Sequence, residues 1–495
     1  MTENKLPNII LIVMDTVRAD HLSCYGYDRK TSPNIDRIAA QGVLYENAFS
    51  AAPWTPPSHA SIFTGKYPSR HKTLGKEIRL KSENTTIAES LAIKYDTLGV
   101  TCCQILGLGS GFEKGFTHYA EVVESSLVRL IKRRRISELK DFIWRMVRGP
   151  DKGTSQATEM IKAFTKQSHR DRPFFVFVNY FTAHTPYDPP SPFKGRFCNE
   201  FDESSLYLQE LLANSLLGLT TEKISKRTTD MRKLQWIASG GGGFSFSVKE
   251  ASVSREEWEI IRAWYDGEIA YLDSHIGNLV QSLKENGILD DTLLLLTSDH
   301  GENFGDHGLA VHPLCLYDSL LRVPLIMKYP DIAPTNQKIQ GLVSLVDLYP
   351  TMTQAAQVKD TQVIDGKSLF QSDKDGTHDF VCAEYGALHT EAFGGLNAWS
   401  LPESTRNKLT KIDRGCKAIR TSTFKYILWR DREELYNIRD DPDELLDISK
   451  EHPQVTKELK KKLANTVDLS YAGAREFPKE QKKQIIDRLK ALGYV

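Results

Sequence analysis

The chain has 495 residues, enough for two or three domains, and its 64 Lys and Arg balance 64 Asp and Glu, so no net charge draws it to nucleic acid. Seven cysteines at irregular spacing, with no Cys/His zinc-finger pattern, point to reduced thiols and a cytoplasmic setting rather than a disulfide scaffold. No run of about 18 apolar residues exists to span a membrane, and the apolar run from Ile9 to Met14 is too short, and lacks the basic leader, for a signal peptide.

Residues 8–14 carry Ile9, Ile10, Leu11, Ile12 and Val13 without polar alternation, which predicts a strand buried on both faces. It runs into Asp15. A carboxylate at the carboxyl end of a parallel strand is where open α/β sheets place their sites, although Asp15 could also cap the next turn. Ser32-Pro33 opens an amphipathic helix that Gly42 ends, and Val43-Leu44-Tyr45 returns as a strand. Then comes Trp54-Thr55-Pro56-Pro57-Ser58-His59, leading to Gly65. The two prolines forbid helix at the front, and Ser58 can cap a helix from His59 onward. Thr55 would then sit just before a helix N-terminus, where free amides and the dipole favour an anion. A hydroxyl held there is placed as a nucleophile for phosphoryl or sulfuryl transfer; the plainer reading is a proline-bent loop. Residues 85–94 read as a helix, 100–106 as a strand, and 107–115 as a glycine-rich loop without phosphate-loop spacing.

Residues 124–152 interleave Arg133, Arg134, Arg135, Arg145 and Lys152 with Leu130, Ile136, Phe142 and Trp144. Such a basic amphipathic segment can rest on an anionic membrane, giving peripheral membrane contact, or simply face solvent. Residues 173–180 form a second buried strand, followed by His184 before a proline turn. Residues 195–255 read as an irregular insertion with four consecutive glycines from Gly240, and 255–285 as a long helix on which Asp273 is a structural partner. Residues 292–297 are a third apolar strand, ending in Ser298-Asp299-His300-Gly301-Glu302. Asp299 and His300 offer one oxygen and one nitrogen ligand, Gly301 allows a sharp turn, and His312 follows in a loop. Residues 321–328 read as a strand broken at Pro324. Residues 419–428 and 434–438 read as an antiparallel hairpin, and 453–467 and 478–492 as helices.

Three buried strands therefore end in Asp15, His184 and Asp299-His300, with Thr55 at a helix start. Alternating strands and helices imply a parallel sheet whose strand ends converge. Asp15, Thr55, Asp299 and His300 could together hold one divalent metal ion. Nitrogen with carboxylates favours Mn or Zn over Ca or Mg.

On these residues the chain resembles the sulfatase family of the alkaline phosphatase superfamily over nearly its full length. The resemblance is carried by the run through Asp15 to Asp20, by Thr55 to Gly65 with Lys66-Tyr67-Pro68, by His184-Thr185-Pro186-Tyr187, by Ser298 to Glu302, by Arg322-Val323-Pro324-Leu325, and by Glu434-Leu435-Tyr436-Asn437. It implies an α/β fold: a large domain over residues 1–380 with a mostly parallel central sheet flanked by helices, insertions at about 124–165 and 195–255, and a smaller C-terminal domain over 381–495 with an antiparallel sheet. It also implies metal-dependent ester hydrolysis.

The chain departs from the family where the chemistry lies. Sulfatases oxidise a Cys or Ser in a Cys-x-Pro-x-Arg motif to formylglycine. Here the sequence is Thr55-Pro56-Pro57-Ser58-His59, and a secondary alcohol cannot give that aldehyde. The family's Arg is His59, its paired aspartates are Asp15 and Thr16, its metal Asn is His300, and its loop Lys before Tyr317 is missing, with His312 nearby. This set is more similar to the threonine-nucleophile relatives that transfer phosphoryl-linked groups. The expectation is a hydrolase of phosphate or phosphonate esters, acting on a small-molecule or lipid-linked substrate. Thr55 would attack, His59, His184 and His312 would surround the transferred group, and His184 would protonate the leaving oxygen. A sulfuric ester hydrolase is the alternative, and a phosphoryl-group transferase or a non-catalytic scaffold are the readings from other classes.

Overall fold

The computed structural model describes residues 6–75, 77–122, 151–167, 172–185, 187–198, 255–312, 314–329, 336–359, 361–371, 378–387 and 414–470. Most of the basic segment at 124–152, nearly all of 195–255 and the last expected helix lie outside them. No helix among the described residues is long and apolar enough to cross a membrane.

The main sheet is built on β1 (Asn8–Met14), every residue of which is buried. Its run of β-branched side chains and leucine suits a strand covered on both faces. The other strands of this sheet are β2 (Val43–Phe49), β3 (Asp96–Thr101), β4 (His118–Glu121), β5 (Phe174–Tyr180) and β6 (Thr292–Thr297). The short β7 (Asn303–Phe304) and β8 (Ala310–Val311) pair with each other, while β9 (Arg322–Val323), β10 (Leu325–Lys328) and β11 (Gln337–Ser344) return to the main sheet. The strand order is β11-β2-β10-β6-β1-β5-β3-β4, with β9 paired to β2. β1 lies parallel between β5 and β6, Leu11 facing Phe177 on one side and Leu295 on the other, and only β9 and β10 run antiparallel to their neighbours. The sheet is mostly parallel, as the alternation of strands and helices requires.

Alternation along β5 shows how the layers are filled. Phe174 and Tyr180 touch Phe164 and Thr158 of the helix Thr154–Gln167. Phe177 and Asn179 turn the other way, toward Phe63 and His59 of the helix Thr55–Thr64. Side chains two apart share a face, so one strand addresses two helical layers. The helix Thr154–Gln167 occupies the end of the range expected as an insertion at 124–165, and it packs on β3 and β5. The long helix Arg255–Glu285 packs against it. Asp273 on the long helix accepts the amides of Asn34 and Ile35, at the start of the helix Pro33–Ala40. It thereby satisfies amides that have no partner within that helix.

A second, antiparallel sheet follows: β12 (Val381–Tyr385), β13 (Cys416–Arg420), β14 (Phe424–Trp429) and β15 (Glu433–Asn437), in that order. The helix Pro453–Thr466 packs on it. The apolar run at 419–428, expected as one strand, is two, because Thr421 Oγ1 accepts the amides of Thr423 and Phe424 and closes a turn. Lys425, on β14, reaches Asp318 in the segment leading into β9. The expected strand at 100–106 begins earlier, as β3, and its end is a single 3-10 turn, Gln104–Leu106. The helix expected at 85–94 is Ile87–Leu91, opened by a Thr86–Glu89 capping box.

Two outcomes follow from this packing. Burial pushes the Asp273 carboxyl up to about 6, against its bonds to Ile35 and Asn34. Its ordinary value is about 3.9, so the folded state holds the proton longer and this contribution to stability falls as pH rises from about 4 through 6. Asp273→Asn lacks this titration. Its stability deficit against wild type should therefore narrow by up to about 3 kcal/mol between pH 4 and pH 7 in denaturant titrations. Second, a Cβ on Gly301 would run into the carbonyl oxygen of Ser319, whereas one on Gly195 meets nothing within 4 Å among the described residues. Gly301→Ala should cost about 1–3 kcal/mol by thermal unfolding and Gly195→Ala about nothing.

Candidate active site and metal centre

The carboxyl ends of β1, β5 and β6 come together. The Asp15 amide donates to the Tyr180 carbonyl at 2.9 Å, and the Thr16 amide to Asp299 Oδ1 at 3.3 Å. Thr16 has a left-handed backbone, φ 63°. For a β-branched residue this is strained. Tyr265 of the long helix pins it, its hydroxyl donating to the Thr16 carbonyl at 2.7 Å and accepting the Arg18 amide at 2.8 Å. The turn so formed sets Asp15 beside Asp299, at the ends of the neighbouring strands β1 and β6.

Thr55 arrives from the opposite layer. The helix begins at Thr55 itself, not at His59, because both prolines fall in its first turn, where a missing N–H is tolerated. Ser58 is therefore not the cap. Its hydroxyl donates to the Asp299 carbonyl at 2.7 Å and tethers the helix to the end of β6. The prolines also remove two of the first-turn amides that could have bound an anion, so the dipole remains but most of the donors do not.

The expected ligands converge. Asp15, Asp299 and His300 are all fully buried and offer ligand atoms within 4.8 Å of one another. Thr55 Oγ1 lies 3.3 Å from His300 Nε2. His300 Nδ1–H donates to the Gly301 carbonyl at 2.9 Å, which leaves the lone pair on Nε2, 3.4 Å from Asp299 Oδ2 and 3.8 Å from Asp15 Oδ1. Among the described residues, those two carboxylate oxygens are buried without a hydrogen-bond partner. Orphaned buried acceptors beside an oriented imidazole lone pair fit a divalent cation, which would satisfy all of them at once. Thr16 Oγ1, where the family has its second aspartate, is likewise buried without a partner.

Without a cation the cluster carries an electrostatic cost. Burial, and then the charge of Asp299, raises the Asp15 carboxyl well above the usual range. Burial pushes Asp299 up to about 7 even though it accepts the amides of Thr16 and His300. Burial, and then His312, holds His300 well below the ordinary imidazole value. Neutral imidazole is the form that binds a metal.

The three other histidines differ. His59 is fully buried against Phe112 and Phe177, and its Nδ1–H donates to the Thr55 carbonyl at 3.0 Å. Burial lowers it to about 4. Its Nδ1–H is thus committed to the backbone of Thr55, with Nδ1 also 3.4 Å from Asp299 Oδ2. His184 stacks on Phe181 and gives its Nδ1–H to the Thr185 carbonyl at 2.7 Å. Burial, and then His312, holds it well below the ordinary value. His312 gives its Nδ1–H to Glu302 Oε1 at 3.0 Å, and Tyr187 donates to Glu302 Oε2 at 2.8 Å. The His312 ring centre lies 4.3 Å from that of His300 and 5.1 Å from that of His184.

Glu302, Asn179 and Lys152 act here without having been singled out as site residues. Asn179 carries the only amide in an otherwise apolar and aromatic strand, which is the one signal that could have marked it. Lys152, last of the basic run, does not face solvent. It is buried and donates to the carbonyls of Thr182 and His184 and to Glu268.

A family model described as Sulfatase matches residues 7–358. The arylsulfatase K of Canis lupus familiaris is 25% identical over 496 residues, covering 96% of this chain and 85% of that protein. An arylsulfatase of Clostridium perfringens is 24% identical, covering 89% of this chain and 90% of its own length. The solved phosphonate monoester hydrolase of Agrobacterium radiobacter superposes with a TM-score of 0.69 at 21% identity, over 95% of this chain and 100% of that one. With the family model spanning most of its length and the parallel sheet presenting the matching motifs, the chain belongs to the sulfatase family of the alkaline phosphatase superfamily, and so to the sulfatase-like ester hydrolases.

Proposed function

We propose that the protein hydrolyses phosphate or phosphonate esters with Thr55 as the nucleophile. The observation that carries this is the place of its hydroxyl: Thr55 is 3% exposed, at the head of its helix, with Oγ1 3.3 Å from His300 Nε2 beside two unsatisfied carboxylate oxygens. Oxidation of a secondary alcohol gives a ketone, so the formylglycine route of sulfatases is closed to it. The fold shared with a phosphonate monoester hydrolase supports the same choice. A divalent cation held by Asp15, Asp299, His300 and Thr55, with Mn or Zn suiting the mixed donors best, would supply positive charge that favours an ionised hydroxyl and an anionic ester.

The Thr55 hydroxyl gives its proton to solvent, Oγ1 bonds to phosphorus, and the bond from phosphorus to the leaving oxygen breaks. We assign the proton for that oxygen to His312 in place of His184. The Glu302 carboxylate behind His312 accepts its Nδ1–H and orients the ring, while His184 gives its own Nδ1–H to a backbone carbonyl and is buried next to the Lys152 ammonium that holds its carbonyl. Water then cleaves the phosphothreonine and restores the hydroxyl. Lys152, through the carbonyls of Thr182 and His184, keeps the His184 loop against the site. Seven free cysteines favour the cytoplasmic setting. Sulfate ester hydrolysis is the second reading, supported by the arylsulfatase relatives.

Turnover of aryl phosphodiester, phosphonate and sulfate substrates, each with Mn, Zn, Mg and Ca, separates these readings. Phosphonate or phosphodiester should lead, and Thr55→Ala should lose on the order of 10³-fold or more of that activity while still folding. A leading sulfate rate overturns the choice of substrate, near-normal turnover of Thr55→Ala overturns the nucleophile, and an acceptor alcohol that outcompetes water makes the protein a transferase. His312→Ala should slow esters with poor leaving groups about 10²-fold or more and activated aryl esters far less, because the latter leave without an acid. Equal slowing of both classes removes His312 from that role.

A further inference from the structure

The geometry points to Asn179 as the residue that sets which cation the centre accepts, by holding Asp15 to a single ligand oxygen. This rests on the metal-centre reading of Asp15, Asp299 and His300, and not on the ester that is cleaved. Asn179 is wholly buried near the end of β5, on the face turned to the helix Thr55–Thr64. Its Nδ2 donates to Asp15 Oδ2 at 3.2 Å and lies 3.4 Å from His59 Nε2. His59 Nδ1–H is given to the Thr55 carbonyl, so His59 Nε2 carries a lone pair. Both N–H groups of the amide therefore have an acceptor. The flipped amide would set its oxygen against two lone pairs, so the network fixes the orientation.

The consequence concerns Asp15. With Oδ2 engaged, only Oδ1, which has no partner, is offered toward Asp299 Oδ2 and His300 Nε2. Asp299 is restricted in the same way, its Oδ1 accepting the amides of Thr16 and His300. Each carboxylate contributes one oxygen, but Asp299 is held by backbone and Asp15 by a side chain that can be replaced. Ca²⁺ takes about 6–8 oxygens and readily uses both oxygens of a carboxylate, whereas Mn²⁺ and Zn²⁺ accept fewer, single-oxygen ligands with imidazole. Asn179 thus biases a compact site against the larger ion. It is a positioning residue, acting through Asp15.

Mn²⁺ and Ca²⁺ are titrated separately into the full chain, wild type and Asn179→Ala, and binding is read by equilibrium dialysis and by the shift in Tm. The loss of an outer hydrogen bond to a ligand should weaken Mn²⁺ about 10–100-fold. Ca²⁺ should weaken much less or tighten, so that the preference for Mn²⁺ over Ca²⁺ shrinks by about 10-fold. Asn179→Leu, which keeps the volume without the donor, should show the same change and serves if the alanine variant does not fold. Weakening of both ions by one factor, as a merely structural residue would give, overturns the inference, and so does an unchanged pair of affinities. A wild type that binds neither ion overturns the metal centre and this inference together. A wild type that binds Mn²⁺ but cleaves no phosphate or phosphonate ester overturns only the proposed function.

Discussion

Two carboxylates facing one another in a dry interior are the constraint on which the rest of this structure depends. Asp15 and Asp299 are fully buried, and each keeps one oxygen without a hydrogen bond. Left alone, such a pair protonates or draws in water, because burial and like charge both oppose ionisation. The surroundings oppose that relaxation. Backbone amides of Thr16 and His300 hold one oxygen of Asp299, Asn179 holds one of Asp15, and the Ser58 hydroxyl fixes the carbonyl of Asp299. Positions so fully determined are the kind at which a fold stores cost for a cation to relieve.

The nucleophile meets a related compromise. A helix N-terminus attracts anions through its dipole and through its free amides together. Pro56 and Pro57 keep the first and discard much of the second. They fix the backbone of the first turn, so the Thr55 side chain is placed by covalent geometry rather than by a hydrogen-bonded loop. Side chains from other elements face the nucleophile instead: His300, just past β6, sets its Nε2 3.3 Å from Thr55 Oγ1, and the Glu302–His312 pair stands beside it. An arginine at position 59 would have brought a permanent charge. A histidine there, lowered to about 4 by burial, brings a neutral ring that packs between aromatic side chains and joins Thr55 to Asn179.

What could be read from the sequence followed burial. β1, β5 and β6 are apolar along their length because both faces are covered, so their extents, and with them Asp15 and Asp299-His300, stood out without structural knowledge. The long helix Arg255–Glu285 was equally plain from its apolar stripe. The start of the Thr55 helix was not, since the same prolines are consistent with a loop or with a first helical turn, and only the packing of Ser58 on the Asp299 carbonyl decides. Asn179 could not be assigned because its meaning depends on β5 lying beside β1, a pairing of residues 164 apart. Lys152 was misleading for a different reason. It ends a run of basic residues that suits a solvated or membrane-facing surface, yet its own ammonium is buried on two carbonyls and a carboxylate.

That lysine shows why the loop carrying His184 keeps its shape. Lys152 itself adopts a left-handed backbone, φ 50°, and its partner Glu268 is fully buried on the long helix. Burial pushes Glu268 up to about 7 although Lys152 and the Asp188 amide both favour its charge. An ion pair in such a place adds little net stability, because desolvation offsets most of the attraction. Its value lies in geometry. Three acceptors from two elements, the carbonyls of Thr182 and His184 and the carboxylate of Glu268, converge on one ammonium that an apolar replacement could not satisfy. An apolar pair of equal volume could leave the protein as stable and still release the Thr182–His184 turn, so the ion pair is better understood as holding the wall of the site than as supporting the core.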